Sequence, residues 1–404
     1  MHVGQNRFQM ALNSSNGLED PGKRRVFVAL CLGFVITGVI TVLIGPVLPV
    51  FKARWSISDA SAGQFFLTQF LGSLVGTVIS SMIIEAKGFR AAIVPGYAMM
   101  ALGVAALNFG DRHIALCASA VYGGGYGLSV PGTNMWVSEA GGEKRAAALN
   151  FLNFAWGTGA LACPTLVLYA VKANSLPVLL YAVAAVSCVV GAVLWKMPFE
   201  TVAQEKEERT EIAASSNLSL WITAALAGLF FIYVGVENGV GGWVAAYTKR
   251  LDVPGGSSWA LASTFFYGTL LAGRGLAAAI LLRVHDKWVA LTGLLLATTG
   301  SFALLRSHST HVAIVSAAVA GLGLASLYPI YISWLTKWHG AQARRVGGVL
   351  FALGALGGAL LPWLVGVVST RTESLRAGLG VLFAGCVIML MLLGFLRKQI
   401  HAED

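Results

Sequence analysis

The sequence predicts an all-α membrane protein with twelve transmembrane helices arranged as two pseudo-symmetric six-helix bundles. Three observations lead there. Of 404 residues, 56% are hydrophobic and only 11% charged, with a mean hydropathy of +0.73; a soluble chain of this length needs far more charge to cover its surface. The apolar residues gather into blocks of about 20, the length that spans a bilayer core. These blocks are too long, and too free of strict alternation, for transmembrane strands, so helices follow.

Taken in order, residues 1–25 are polar and precede a long apolar block, which fits an uncleaved cytosolic tail better than a removable signal peptide. Segments 1 to 6 cover 26–51, 60–84, 91–108, 113–137, 146–170 and 177–195, and form an N-terminal bundle over 26–195. The longest internal polar stretch, KMPFETVAQEKEERTEIAASSN, then reads as a cytosolic linker over 196–218. Segments 7 to 12 cover 219–247, 258–282, 288–305, 312–336, 346–369 and 376–396 and form a C-terminal bundle, leaving a cytosolic tail at 397–404.

The net charge of +10 raises the question of nucleic acid, but its distribution answers it. With the N-terminus inside, about two thirds of the lysines and arginines fall on the cytosolic side, and Arg274 falls within a segment. The charge is therefore topological. It places both termini in the cytosol of a multi-pass protein in the cytoplasmic (inner or plasma) membrane, with the lipid bilayer as partner and no nucleic acid. Cys31, Cys117, Cys163, Cys188 and Cys386 all lie in predicted helices without CxxC spacing, and read as small core residues. The histidines sit in tails, loops or helix ends, and no metal site is expected.

The two halves match at an offset of 198 to 200 residues. Phe65-Phe66-Leu67 returns as Phe265-Phe266-Tyr267, Pro131 and Trp136 as Pro329 and Trp334, Lys144-Arg145 as Arg344-Arg345, and Gly159 and Pro164 as Gly357 and Pro362. Parallel internal symmetry of this kind marks one class of secondary transporter.

Two parallel six-helix halves joined by a cytosolic linker resemble the major facilitator superfamily. The stretch Ser81-Met-Ile-Ile-Glu85-Ala-Lys-Gly88-Phe-Arg90 resembles its G-x-x-x-D-R-x-G-R-R gating motif, with a serine for the lead glycine and an alanine for the first arginine. The resemblance implies a gating role for Glu85 and Arg90, weakened by those departures. Shorter matches resemble the sodium-glucose and fucose–proton symporter-like sugar branch. They are Gly45-Pro-Val-Leu-Pro49, Gln69-Phe-Leu-Gly-Ser73, Leu149-Asn-Phe-Leu-Asn153 with Gly157-Thr-Gly-Ala160, Gly273-Arg274, Gly357-Gly-Ala-Leu-Leu-Pro-Trp363 and the stretch from Tyr233 to Tyr247. Where fucose–proton symporter-like members carry acids in helices 1 and 4, the matching positions here are Gly45 and Val130.

Transporters of this architecture bind substrate near the bilayer midplane, so polar side chains in mid-segment are the candidates. Glu237 is the only acid there; it either meets sugar hydroxyls, or a coupling proton, or pairs with a neighbouring helix. Asn238 points about 100° away from it. Gln69, Asn153, Trp156 and Tyr328 complete the expected substrate-binding set: two amides for hydroxyls and aromatic faces for a sugar's C–H surface. Asn150, Asn134 and Arg274 join Glu85 and Arg90 as gating or structural residues. In straight helices Glu237 lies about 6 Å above the midplane and Arg274 about 6 Å below it, so a direct ion pair is not the favoured arrangement. The glycines from 235 to 242 suit either a bend in segment 7 or close packing.

An intramembrane enzyme is not expected: the segments lack paired mid-block acids, a mid-block histidine or an HExxH-like motif. The linker has no nucleotide-binding P-loop, so no ATP drive is expected. The expectation is a transporter of a monosaccharide or similar polyol, working as a monomer without a cofactor. Facilitated diffusion, proton coupling and sodium coupling remain open. Efflux of another organic solute or drug is the alternative on the same fold.

Overall fold

Twelve apolar segments require twelve helical crossings. The computed structural model describes residues 20–142, 145–199, 220–252, 256, 258–339 and 343–403, and contains the twelve crossings as fourteen α-helices. Among the described residues ten spans are long and apolar enough to cross a membrane. Arg112–Gly141 and Leu261–Ile280, 30 and 20 residues long, are segments 4 and 8.

Two segments are broken, each about four residues before a proline, whereas Pro95, Pro131, Pro164 and Pro362 sit inside continuous helices. Segment 1 is Pro21–Val42 followed by Ile44–Trp55; Pro46 has no N–H for the Val42 carbonyl, and the chain turns at Leu43. Segment 10 is Thr310–Leu324 followed by Leu327–His339; Pro329 stands in the same relation to Ala325, where the first helix ends. Segment 7, by contrast, is one unbroken helix, Leu220–Leu251. Its glycines serve close packing: a Cβ at Gly235 would press on the Gly357 carbonyl and Leu361, and one at Gly242 on the ring of Phe66.

Segment 1 begins at Pro21, ahead of the expected position, because Asp20 caps it by accepting from the Gly22 N–H at 2.8 Å. Segment 12 continues as helix to Glu403. The expected linker lies outside the described residues beyond Phe199. Three cysteines are buried as expected, whereas Cys117 and Cys188 are exposed on the outer faces of their helices.

Segments 1–6 pack mainly on one another, and so do 7–12; across them, segment 2 lies along segment 11, 5 along 8, and 1 against 7. The internal repeat reappears as a repeated contact. In segment 5, Gly159 sits against the Val35 carbonyl of segment 1, and a Cβ there would overlap the oxygen. In segment 11, Gly357 sits in the same way against the Phe231 carbonyl of segment 7. Only a residue without a Cβ lets two backbones approach so closely.

Successive segments alternate in direction, so the start of segment 1 and the end of segment 12 share one end of the molecule, called here the proximal end. The loops after segments 1, 7 and 11 lie at the other, distal end.

Candidate functional site

Segment 7 places Glu237 in mid-helix with only 8% of its surface exposed. One turn earlier, at the i, i+4 spacing that aligns side chains on a helix, Tyr233 donates its hydroxyl to Glu237 Oε2. Arg274 of segment 8 brings Nη2 to 3.5 Å from the same oxygen. This corrects the expectation from straight helices: the long guanidinium side chain and the packing of segment 8 on segment 7 close the vertical gap. Among the described residues no group bonds Oε1.

Around this pair lies a shell of aromatic side chains. The Arg274 guanidinium sits 5.6 Å from the Trp156 ring centroid, a cation–π contact that joins segments 5 and 8. Arg274 Nε and Trp156 Nε1 are both buried without a hydrogen-bond partner among the described residues. Tyr328 stacks on Tyr233 with centroids 5.7 Å apart and planes at 26°. The Tyr267 hydroxyl lies against Gly241, one turn beyond Glu237. The site is thus an acid with one oxygen to spare, a cation with a spare donor and the stacked rings of Tyr233 and Tyr328.

The expected amides divide into two kinds. Asn153 and Asn238 each donate to the carbonyl one turn back, Leu149 and Val234, at 2.8 Å, which leaves Oδ1 without a bond from any described residue. Asn153 is exposed and Asn238 half-buried; polar groups exposed at membrane depth face water or protein rather than lipid. Gln69 is different. Its Nε2 donates to the Thr41 carbonyl at 2.8 Å and its Oε1 accepts from Tyr122 at 2.9 Å, with 4% of the residue exposed. Both ends of that amide are held by segments 1 and 4.

The remaining candidates lie toward the proximal end. Asn150 is exposed one turn before Asn153, and Asn134 donates to the Val130 carbonyl at 3.0 Å. Arg90 donates to the Met197 carbonyl at 2.7 Å, tying the loop after segment 2 to the end of segment 6. Glu85 is exposed and is not part of that contact.

On the distal side the site is shut. Trp243 is fully buried, packs on Phe66 of segment 2 at 6.0 Å and donates Nε1 to the Pro362 carbonyl at 2.8 Å. Gly63 packs on the Trp363 backbone and Gly358 on the Phe70 ring. Beyond them stands Asp59, 6% exposed. Lys52 and Ser369 both donate to it, and Arg250 Nη2 lies 2.7 Å from each of its oxygens.

Sequence reading also passed over Tyr233, which had a usable signal in the i, i+4 spacing to Glu237, and Tyr267, whose contact with Gly241 depends on tertiary packing.

Comparison with known proteins follows the same lines. A family model described as Major Facilitator Superfamily matches residues 30–335. A human protein named sodium-dependent glucose transporter 1 is 21% identical over 394 residues, covering 86% of this chain and 74% of its own. A candidate glucose/galactose transporter of Helicobacter pylori is 26% identical over 372 residues, covering 84% and 89%. Among solved structures, a bacterial homologue of the human lysosomal transporter Spinster, inward-facing and occupied, superposes with a TM-score of 0.76 at 14% identity, covering 94% of this chain and 97% of that one. At that identity the last match speaks for the fold alone.

Proposed function

We propose that this chain, which belongs to the Major Facilitator Superfamily and is therefore a membrane transporter rather than an enzyme, carries a monosaccharide or similar polyol across the cytoplasmic membrane. Two bundles, 26–195 and 219–396, rock about the site between them, with the proximal end in the cytosol as the lysine and arginine distribution indicates.

The observation that carries this reading is Glu237 Oε1, an acceptor on a buried acid that no described residue occupies. A sugar hydroxyl donating to it completes the carboxylate's bonding. Arg274 Nε and Trp156 Nε1 supply donors of the opposite sense, and the Trp156 and Tyr328 rings offer faces to the sugar's C–H surface. The acid and the arginine balance each other, which suits a neutral cargo. Asn153, one turn before Trp156, and Asn238, beside Glu237 in the chain, add acceptors. Gln69 braces segment 1 in this arrangement and reaches cargo when segments 1 and 4 move. The glucose-transporter names of the relatives point to the same substrate class.

Facilitated diffusion, a proton and a sodium ion are the three choices for the drive, since Gly45 and Val130 stand where the fucose–proton symporter-like branch carries acids.

Uptake of labelled glucose, galactose and fucose into proteoliposomes, under imposed proton, sodium or no gradient, tests the reading. Saturable uptake of one sugar is expected, and the gradient that drives accumulation identifies the coupling ion. Folded protein that takes up none of them contradicts the sugar assignment and favours another organic cargo, moved outward.

A further inference from the structure

Asp59 plays no part in the proposed substrate site, yet it is the more completely satisfied of the two buried acids. It begins segment 2 on one side of the molecule. Lys52, at the end of segment 1, pairs with it from the same side. Arg250, at the end of segment 7, and Ser369, near the end of segment 11, reach it from the other. The neighbouring Ala60 N–H donates to Thr370 Oγ1 at 2.8 Å, a second bond across the same seam. Gly366 presses on the Asp59 carbonyl so closely that a Cβ there would overlap it.

Three donors converge on one carboxylate, and two of them come from segments 191 and 310 residues away in sequence. A charge buried this way is stable while every partner stays. If the halves part at this end, Asp59 and Lys52 go one way while Arg250 and Ser369 go the other. The acid then keeps Lys52, loses the Arg250 Nη2 that bridges both its oxygens and meets water, which re-solvates it. The contact is therefore conditional on one conformation, as a latch must be, whereas Gly159 against Val35 and Gly357 against Phe231 stay within their own halves throughout.

We infer that Asp59 is a positioning residue for transport: with Arg250, Ser369 and Lys52 it latches the distal ends of segments 1, 2, 7 and 11 and sets the balance between distally closed and distally open states. The inference rests on the alternating-access reading above, but not on the identity of the cargo.

Spin labels on two exposed positions, Ala53 on one side of the seam and Arg371 on the other, measure the distal gap by pulsed electron resonance. The exposed Cys117 and Cys188 are replaced by alanine first. Parent protein in nanodiscs should show a dominant short distance. Asp59→Asn should raise the longer-distance population about tenfold or more, since stripping the charge from a buried, multiply bonded acid weakens every partner. Ser369→Ala, which removes one donor and keeps the ion pairs, should shift it in the same direction by a few-fold.

If Asp59→Asn does not fold, Arg250→Gln and Ser369→Ala carry the test. A distance distribution unchanged from parent in every variant that folds overturns the latch. The readout needs no substrate, so a wrong cargo leaves the result intact. A failed latch leaves the sugar-uptake assay as it was.

Discussion

The two buried acids, Glu237 and Asp59, make an instructive pair. Both lie within a helix at less than a tenth exposed, and both meet an arginine. They differ in how far their bonding is completed. Asp59 holds an arginine whose Nη2 bridges both its oxygens, a lysine and a serine, drawn from both halves of the molecule. Glu237 holds one tyrosine and an arginine at 3.5 Å, both from its own half, with one oxygen left over. A fully bonded acid can only lose by meeting something new, so it suits closure. An acid with spare capacity gains by meeting a donor, so it suits binding. Counting donors and noting which half supplies them separates the two roles better than burial does.

The comparison can be broken in several places. The largest effect should come from Arg274→Ala, which leaves Glu237 with no cation among the described groups that bond it. A buried acid so exposed should cost about 3 kcal/mol of stability, read as a lower Tm in detergent, and adding Glu237→Gln in the same chain should recover part of it. Equal Tm for the single and double variants would show that the pair is not coupled. Trp156→Ala removes a cation–π partner and an aromatic face together and should lower sugar uptake about five- to tenfold at unchanged folded yield; Trp156→Phe should retain most of the uptake. The smallest effect belongs to Asn153→Ala. Its amide already bonds its own helix, so only the Oδ1 contact is lost, worth about 0.5 kcal/mol or about twofold in KM. An Asn153→Ala loss as large as that of Trp156→Ala would move the centre of the site toward segment 5.

Much of the architecture was legible in the sequence. Hydropathy blocks of bilayer length give helices by backbone hydrogen-bonding necessity alone; the 198-residue repeat of Gly159 in Gly357 showed the symmetry but not the two equivalent backbone contacts those glycines make. Glu237, Arg274, Trp156 and Tyr328 were each picked out by polarity or aromaticity at mid-depth, and the structure brings these four together. Their mutual contacts were not legible, because vertical reckoning in straight helices ignores side-chain reach and tilt. The breaks in segments 1 and 10 fall where Pro46 and Pro329 orphan the carbonyl four residues back, but Pro95, Pro131, Pro164 and Pro362 lie inside unbroken helices, so the proline rule alone does not mark a break.

Asp59 was the deeper omission. At the first position of a helix after a short loop, an acid is ordinary surface chemistry that favours the helix N-terminus. What makes it special is the approach of Arg250 and Ser369, and no local pattern around residue 59 encodes partners so remote in sequence. Gln69 shows the converse: its mid-depth position suggested binding, and its bonds to Thr41 and Tyr122 depend on packing that sequence spacing does not display.

The most direct test of the account sets the two acids side by side. Equilibrium binding of the labelled sugar that proteoliposomes take up best should be measured on purified parent protein, Glu237→Gln and Asp59→Asn. Glu237→Gln should weaken binding about 10- to 100-fold, the loss of one charge-assisted hydrogen bond, with the distal spin-label distances unchanged. Asp59→Asn should change those distances and leave binding within a few-fold of parent. Parent-like binding in Glu237→Gln, with the large loss falling instead on Asp59→Asn, would contradict the assignment of the two carboxylates.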